Sequence, residues 1–237
     1  MTTTSEHRLV LWDIDQTLVE MSGLGAAWYA TAMLAATGVT MGPMPVFGGR
    51  TERAITIELL ITHDVEPTEE TIRRVWAELV LAAEQAGATI LERGRALPGA
   101  AAALSSLAGE SGVVQSLVTG NLPEVSRHKL TPFDLHTHID FEIGGYGSLS
   151  AYRPELVPRA VELATAKHSR EFPPESVVVI GDTPHDVEAA LQHDAVAVAV
   201  ATGQFSADEL RDAGARTVLA DLSDLDAVRT AILRTHA

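Results

Sequence analysis

Residues 9–18 read Leu-Val-Leu-Trp-Asp-Ile-Asp-Gln-Thr-Leu: an apolar run, Leu9 to Trp12, that ends in a polar loop carrying Asp13 and Asp15. An apolar segment this short, bounded by carboxylates, is a strand buried on both faces that delivers polar groups at its carboxyl end. The same grammar recurs at Val113 to Val118, followed by Thr119-Gly120-Asn121, and at Val177 to Ile180, followed by Gly181-Asp182-Thr183-Pro184. A fourth run, Ala195 to Val200, ends in Ala201-Thr202-Gly203.

Helical patterns separate these runs, at Gly99 to Ala108, Pro154 to Lys167 and His185 to Gln192. Buried strands alternating with helices predict a doubly wound, Rossmann-like α/β fold with a parallel sheet. Ligands of such folds lie beyond the carboxyl ends of the strands, where Asp13, Thr119 and Asp182 converge. Residues 20–95 have a different texture: three long helical patterns (Gly25 to Thr37, Glu52 to His63, Thr68 to Ala86) and no apolar β run. The expected division is a core of residues 1–19 and 96–237, interrupted by a helical cap of residues 20–95.

Composition narrows the function. The 237 residues contain 32 acidic and 17 basic side chains, a formal charge of −15, so a nucleic acid backbone is repelled. The same field opposes small anions, so a phosphate-handling site needs local cations or a metal. With no cysteine, disulfides, thiolate zinc sites and cysteine nucleophiles are excluded. No apolar stretch is long enough to span a membrane, and the opening MTTTSEHRLV lacks the order of a signal peptide. The expectation is a cytoplasmic protein; no sequence feature sets its oligomeric state.

Asp13 and Asp15 alone read as loop carboxylates capping a helix. A second acidic pair, Asp182 and Asp186, after another strand changes that, because clustered carboxylates repel unless a divalent cation neutralises them. Oxygen donors without a Cys or His cluster favour Mg2+. His185, unmatched by a second histidine at ligand spacing, reads as a loop or surface residue, and Asp186 serves equally well as a ligand or behind one.

Together, Asp13-Ile14-Asp15-Gln16-Thr17-Leu18, Thr119-Gly120-Asn121 and Gly181-Asp182-Thr183-Pro184-His185-Asp186 resemble the successive motifs of haloacid dehalogenase superfamily hydrolases, in order and spacing. The resemblance spans Leu9 to about Leu222 and points to the phosphoglycolate phosphatase and β-phosphoglucomutase-like branch with a helical cap. It implies that Asp13 is a nucleophile forming an aspartyl phosphate. Asp15 would be the general acid and base and offer its backbone carbonyl to magnesium. Thr119, Gly120 and Asn121 would hold the phosphate oxygens, and Asp182 would bind the metal.

Two positions depart from the family pattern. The usual lysine between the second and last motifs is matched by Arg153, and Lys129 and Lys167 read as exposed helix charges. Gln16 stands where many relatives carry glycine.

The family's true dehalogenases need neither an acid two places after the nucleophile nor magnesium, so Asp15 favours a phosphatase acting on a small phosphate monoester, such as phosphoglycolate, a sugar phosphate or a nucleotide-derived phosphate. A phosphosugar mutase has the same motifs and cap; a non-catalytic binding protein would be expected to lack essential carboxylates. Discrimination falls to the cap segment Phe47-Gly48-Gly49-Arg50-Thr51-Glu52. Arg50 is a candidate to meet a substrate oxygen, or Gly48-Gly49 is only a turn before a helix capped by Thr51. Trp28, Tyr29 and Met33 either line a pocket or form the core of the cap.

Overall fold

A computed structural model describes residues 7–21, 23–42 and 47–234; the first six residues of the opening segment lie outside them. Six strands form a sheet in the order β5-β4-β1-β6-β7-β8: β1 (Arg8–Trp12), β4 (Val113–Thr119), β5 (Gly145–Tyr146), β6 (Val177–Gly181), β7 (Val196–Val200) and β8 (Thr217–Leu219). Every pairing in it is parallel. Among the described residues no helix is long and apolar enough to cross a membrane.

The apolar runs follow from two-sided burial. Along β1, Leu9 and Leu11 enter one core cluster while Val10 and Trp12 enter the other. In β6, Val177 and Val179 oppose Val178 and Ile180 in the same way, and β7 divides Ala197 and Ala199 from Val198 and Val200. Helices α7 (Leu156–His168), α8 (Pro184–Leu191) and α9 (Ala207–Asp212) cover one face. The other is covered by α5 (Ala100–Ala108), α6 (Pro123–Leu130) and α10 (Leu225–Leu233). The doubly wound α/β fold expected from the strand grammar is therefore present.

Between β1 and α5 the chain leaves through β2 (Val19–Glu20) and returns through β3 (Arg95–Ala96), which pair antiparallel. Among the described residues four helices lie between them: α1 (Leu24–Thr37), α2 (Glu52–Thr62), α3 (Glu69–Gln85) and α4 (Gly87–Arg93). Trp28, Met33, Leu59, Val75 and Ile90 of this insertion share one hydrophobic cluster with Trp12, Leu104 and Leu130.

Register brings the polar strand ends together. Trp12 lies opposite both Leu117 and Ile180, so Asp13, Thr119 and Asp182 emerge at one edge of the sheet. Asp13 extends the β1–β6 ladder by one rung, its N–H donating to Ile180 O at 2.8 Å.

Candidate active site

Three buried carboxylates, those of Asp13, Asp182 and Asp186, each offer an oxygen within 4.8 Å of the others. Burial first, then the carboxylates of Asp186 and Asp13, push Asp182 up to about 9. Asp13 rises to about 6, driven by burial and the neighbouring aspartates against the lowering pull of Arg153. Such a cluster is unfavourable unless a cation compensates it, and all-oxygen donors suit a hard divalent ion.

The three are not equivalent. Asp186 Oδ2 accepts from the Thr183 N–H at 3.1 Å and the Thr183 hydroxyl at 2.7 Å, closing a capping box at the start of α8. Its Oδ1 takes Arg153 Nη2 at 2.5 Å. Asp13 and Asp182 keep more free acceptor capacity: Arg153 Nη2 reaches Asp13 Oδ1 at 3.0 Å, and Thr17 Oγ1 donates to Asp182 Oδ1 at 3.3 Å. A Cβ on Gly203 would stand 1.9 Å from Asp182 Oδ2, so only glycine leaves that oxygen its place.

Arg153, matched in the sequence to the family's usual lysine, lies against Asp13 and Asp186. Its guanidinium also donates to Val118 O at 3.2 Å and to Gly49 O at 3.3 Å, tying the sheet edge to the insertion. Buried against Asp186 and Asp13, it stays charged.

Around Asp15 the structure corrects the reading of Lys129. Far from being an exposed helix charge, Lys129 is buried, and its ammonium donates to Asp15 Oδ1 (2.8 Å), Asp15 Oδ2 (2.6 Å) and Asn121 Oδ1 (2.7 Å). Asn121 Nδ2 completes the array with bonds to Asp15 Oδ2 at 2.8 Å and Thr119 Oγ1 at 2.9 Å. The signal was available in the helix period: Lys129 follows the buried Val125 by four residues, on the inward face of α6. Lys167 does remain at the surface, paired with Asp140 and Glu142. His185, half-exposed beside Glu188, is also a surface residue.

The insertion closes on these groups. Phe47 stacks on Tyr29, and the Arg50 N–H returns to Phe47 O at 2.9 Å, so Gly48-Gly49 is a turn. Thr51 caps α2 by accepting from the Ala54 N–H. Glu52 N–H donates to Gly120 O at 2.8 Å, and Arg53 N–H to Gly147 O at 3.0 Å. Arg50 lines the resulting cavity with its guanidinium on Glu58, 2.5 Å away.

That cavity, about 530 Å³, is of ordinary size for a small-ligand site. Asp13, Asp15, Gly120, Asn121, Arg153 and Asp182 line it together with Trp28 and Tyr29, whereas Met33 sits in the hydrophobic core. Glu52, passed over in the sequence, is buried there as well. Its spacing with Ile55, Thr56, Leu59 and Leu60 marks it on the inward stripe of α2.

The model of the haloacid dehalogenase-like hydrolases matches residues 10–191, which holds the whole constellation. This chain belongs to that family. No curated protein matches it closely enough to add a finer assignment. Among solved structures, a candidate β-phosphoglucomutase from Bacteroides vulgatus is 19% identical, with 98% of this chain and 93% of that one covered and a TM-score of 0.66. For a predicted phosphoglycolate phosphatase from Haemophilus somnus the values are 16%, 95%, 99% and 0.65. A family hydrolase from Deinococcus radiodurans, solved with bound phosphate and sodium, is 23% identical, with 98% and 100% covered and a TM-score of 0.54. At these identities the likeness is one of fold.

Proposed function

We propose that this member of the haloacid dehalogenase-like hydrolases is a magnesium-dependent phosphatase that hydrolyses a small phosphate monoester through an aspartyl phosphate at Asp13. The observation that carries the reading is the meeting of Asp13, Asp182 and Asp186 with Arg153 beside a cavity that Asp13, Asp182, Arg153, Asp15, Gly120 and Asn121 line, with Thr119 and Asp186 buried behind them. Asp13 and Asp182, with the Asp15 backbone carbonyl, would hold Mg2+, and Asp186 would balance Arg153 behind them. The ion would supply charge neutralisation between the nucleophile and the phosphoryl oxygens.

An Asp13 oxygen forms a bond to phosphorus as the ester oxygen leaves, and Asp15 gives that oxygen its proton. Water then attacks phosphorus, Asp15 takes back a proton, and free Asp13 and inorganic phosphate result. The Thr119 hydroxyl and the amides of Gly120 and Asn121 are donors for the equatorial oxygens, and Arg153 adds fixed positive charge. Residues 20–95 work as a cap on the core of residues 1–19 and 96–237, excluding water and touching the leaving group. The phosphate and sodium bound by the Deinococcus relative fit the same chemistry.

A screen of phosphorylated metabolites with Mg2+, reading free phosphate against an EDTA control, tests this. Magnesium-dependent release is expected. Isomerisation of a sugar phosphate without release would instead mark a mutase.

A further inference from the structure

Glu52 supplies a carboxylate to the cavity for which the phosphoryl chemistry has no use. The residue is buried, 7% exposed, and one carboxylate oxygen accepts from the Tyr29 hydroxyl. Its other oxygen has no hydrogen bond among the described residues, and the residue lines the cavity. A carboxylate oxygen that faces a cavity with no protein donor is open to a donor on a ligand. The position is fixed from both sides: Glu52 N–H is anchored on Gly120 O at 2.8 Å, and Glu52 lies near enough to Lys129 and Asp15 to feel both charges. It therefore stands on the side of Asp15, where the leaving group departs.

The cations in the cavity are already engaged. Lys129 spends all three of its ammonium protons on Asp15 and Asn121. Arg153 serves Asp13 and Asp186, and Arg50 pairs with Glu58. A second acid on the substrate would thus meet Glu52 with no uncommitted cation beside it among the described residues.

Resting on the phosphatase reading above, we infer that Glu52 selects a phosphate monoester whose alcohol portion carries a hydrogen-bond donor, an ammonium or a hydroxyl, and no second acid. The test compares phosphoethanolamine, 2-hydroxyethyl phosphate, ethyl phosphate and phosphoglycolate with Mg2+, by phosphate release, in wild type, Glu52→Gln and Tyr29→Phe. In wild type, assayed above pH 8 because burial lifts the Glu52 carboxyl to about 7, kcat/KM should be at least about tenfold higher for the two donor-bearing esters, the worth of one hydrogen bond to a charged group. Glu52→Gln should remove most of that preference through KM while kcat for ethyl phosphate holds; Tyr29→Phe, which frees the carboxylate from its tether, should blunt it.

Preference for phosphoglycolate in wild type would overturn the inference, and so would an equal loss on all four esters in Glu52→Gln, the mark of a structural role. Because the wild-type comparison decides by itself, a variant that fails to fold leaves the inference testable. Release from the esters without donor preference defeats this inference alone. No release from any ester in wild type counts against the phosphatase reading itself.

Discussion

Arg153 Nη2 sits between Asp13 Oδ1, 3.0 Å away, and Asp186 Oδ1, 2.5 Å away, so one guanidinium nitrogen holds the proposed nucleophile and the α8 capping carboxylate in register. Removing a buried partner strands the other charges. Arg153→Met should cost about 3–5 kcal/mol of metal-free stability, measured by denaturant unfolding, with part regained on adding Mg2+. Arg153→Lys should lose less, keeping the charge but not the fork. Unchanged stability in Arg153→Met would show that the pair carries no such load.

The acidic cluster also sets a pH dependence. Asp182 and Asp13 are raised to about 9 and about 6, against ~3.9 for an unfolded aspartate, so the folded state binds these protons more tightly. In EDTA the thermal midpoint should rise as pH falls from about 9 to about 5. Saturating Mg2+ should flatten or reverse the trend, because the ion needs ionised carboxylates. A midpoint in EDTA that drops through this window would contradict the buried cluster.

Lys129 is predicted to orient Asp15. Lys129→Met should reduce kcat by about tenfold to a hundredfold with little change in KM, since a misplaced proton donor slows chemistry more than binding. Steady-state kinetics on any accepted ester would check it, and an effect confined to KM would assign Lys129 to substrate binding instead.

Gly203 offers a test at the metal position. Gly203→Ala would place a methyl 1.9 Å from Asp182 Oδ2, and the carboxylate must move. The fold should survive while apparent Mg2+ affinity weakens about tenfold or more, as read by metal-dependent thermal shift. Wild-type affinity would place the ion away from Asp182.

Physical reasons separate what the sequence made legible from what it hid. β1, β4, β6 and β7 lie inside the sheet, and the resulting apolar runs point straight to Asp13, Thr119 and Asp182. By contrast, β5 and β8 form the edges with two and three residues, too short to leave a periodic trace. Arg153 was recoverable from motif order, but its bonds to Gly49 and Val118 depend on long-range closure. Lys129 and Glu52 are charged residues on otherwise apolar stripes, where residue type argues for solvent and spacing argues for the interior. Spacing prevailed because carboxylate, amide and hydroxyl partners await them inside. At Gln16 the sequence showed a departure from glycine, and the structure supplies its meaning: φ is 62°, a left-handed conformation in which glycine is at ease.

The most direct test is to quench the enzyme in acid during turnover of a phosphate-labelled monoester with Mg2+ and map the label by peptide. The label should lie on Asp13, and Asp13→Asn should neither acquire it nor release phosphate. Label on another residue, or wild-type turnover by Asp13→Asn, would contradict covalent catalysis at this site.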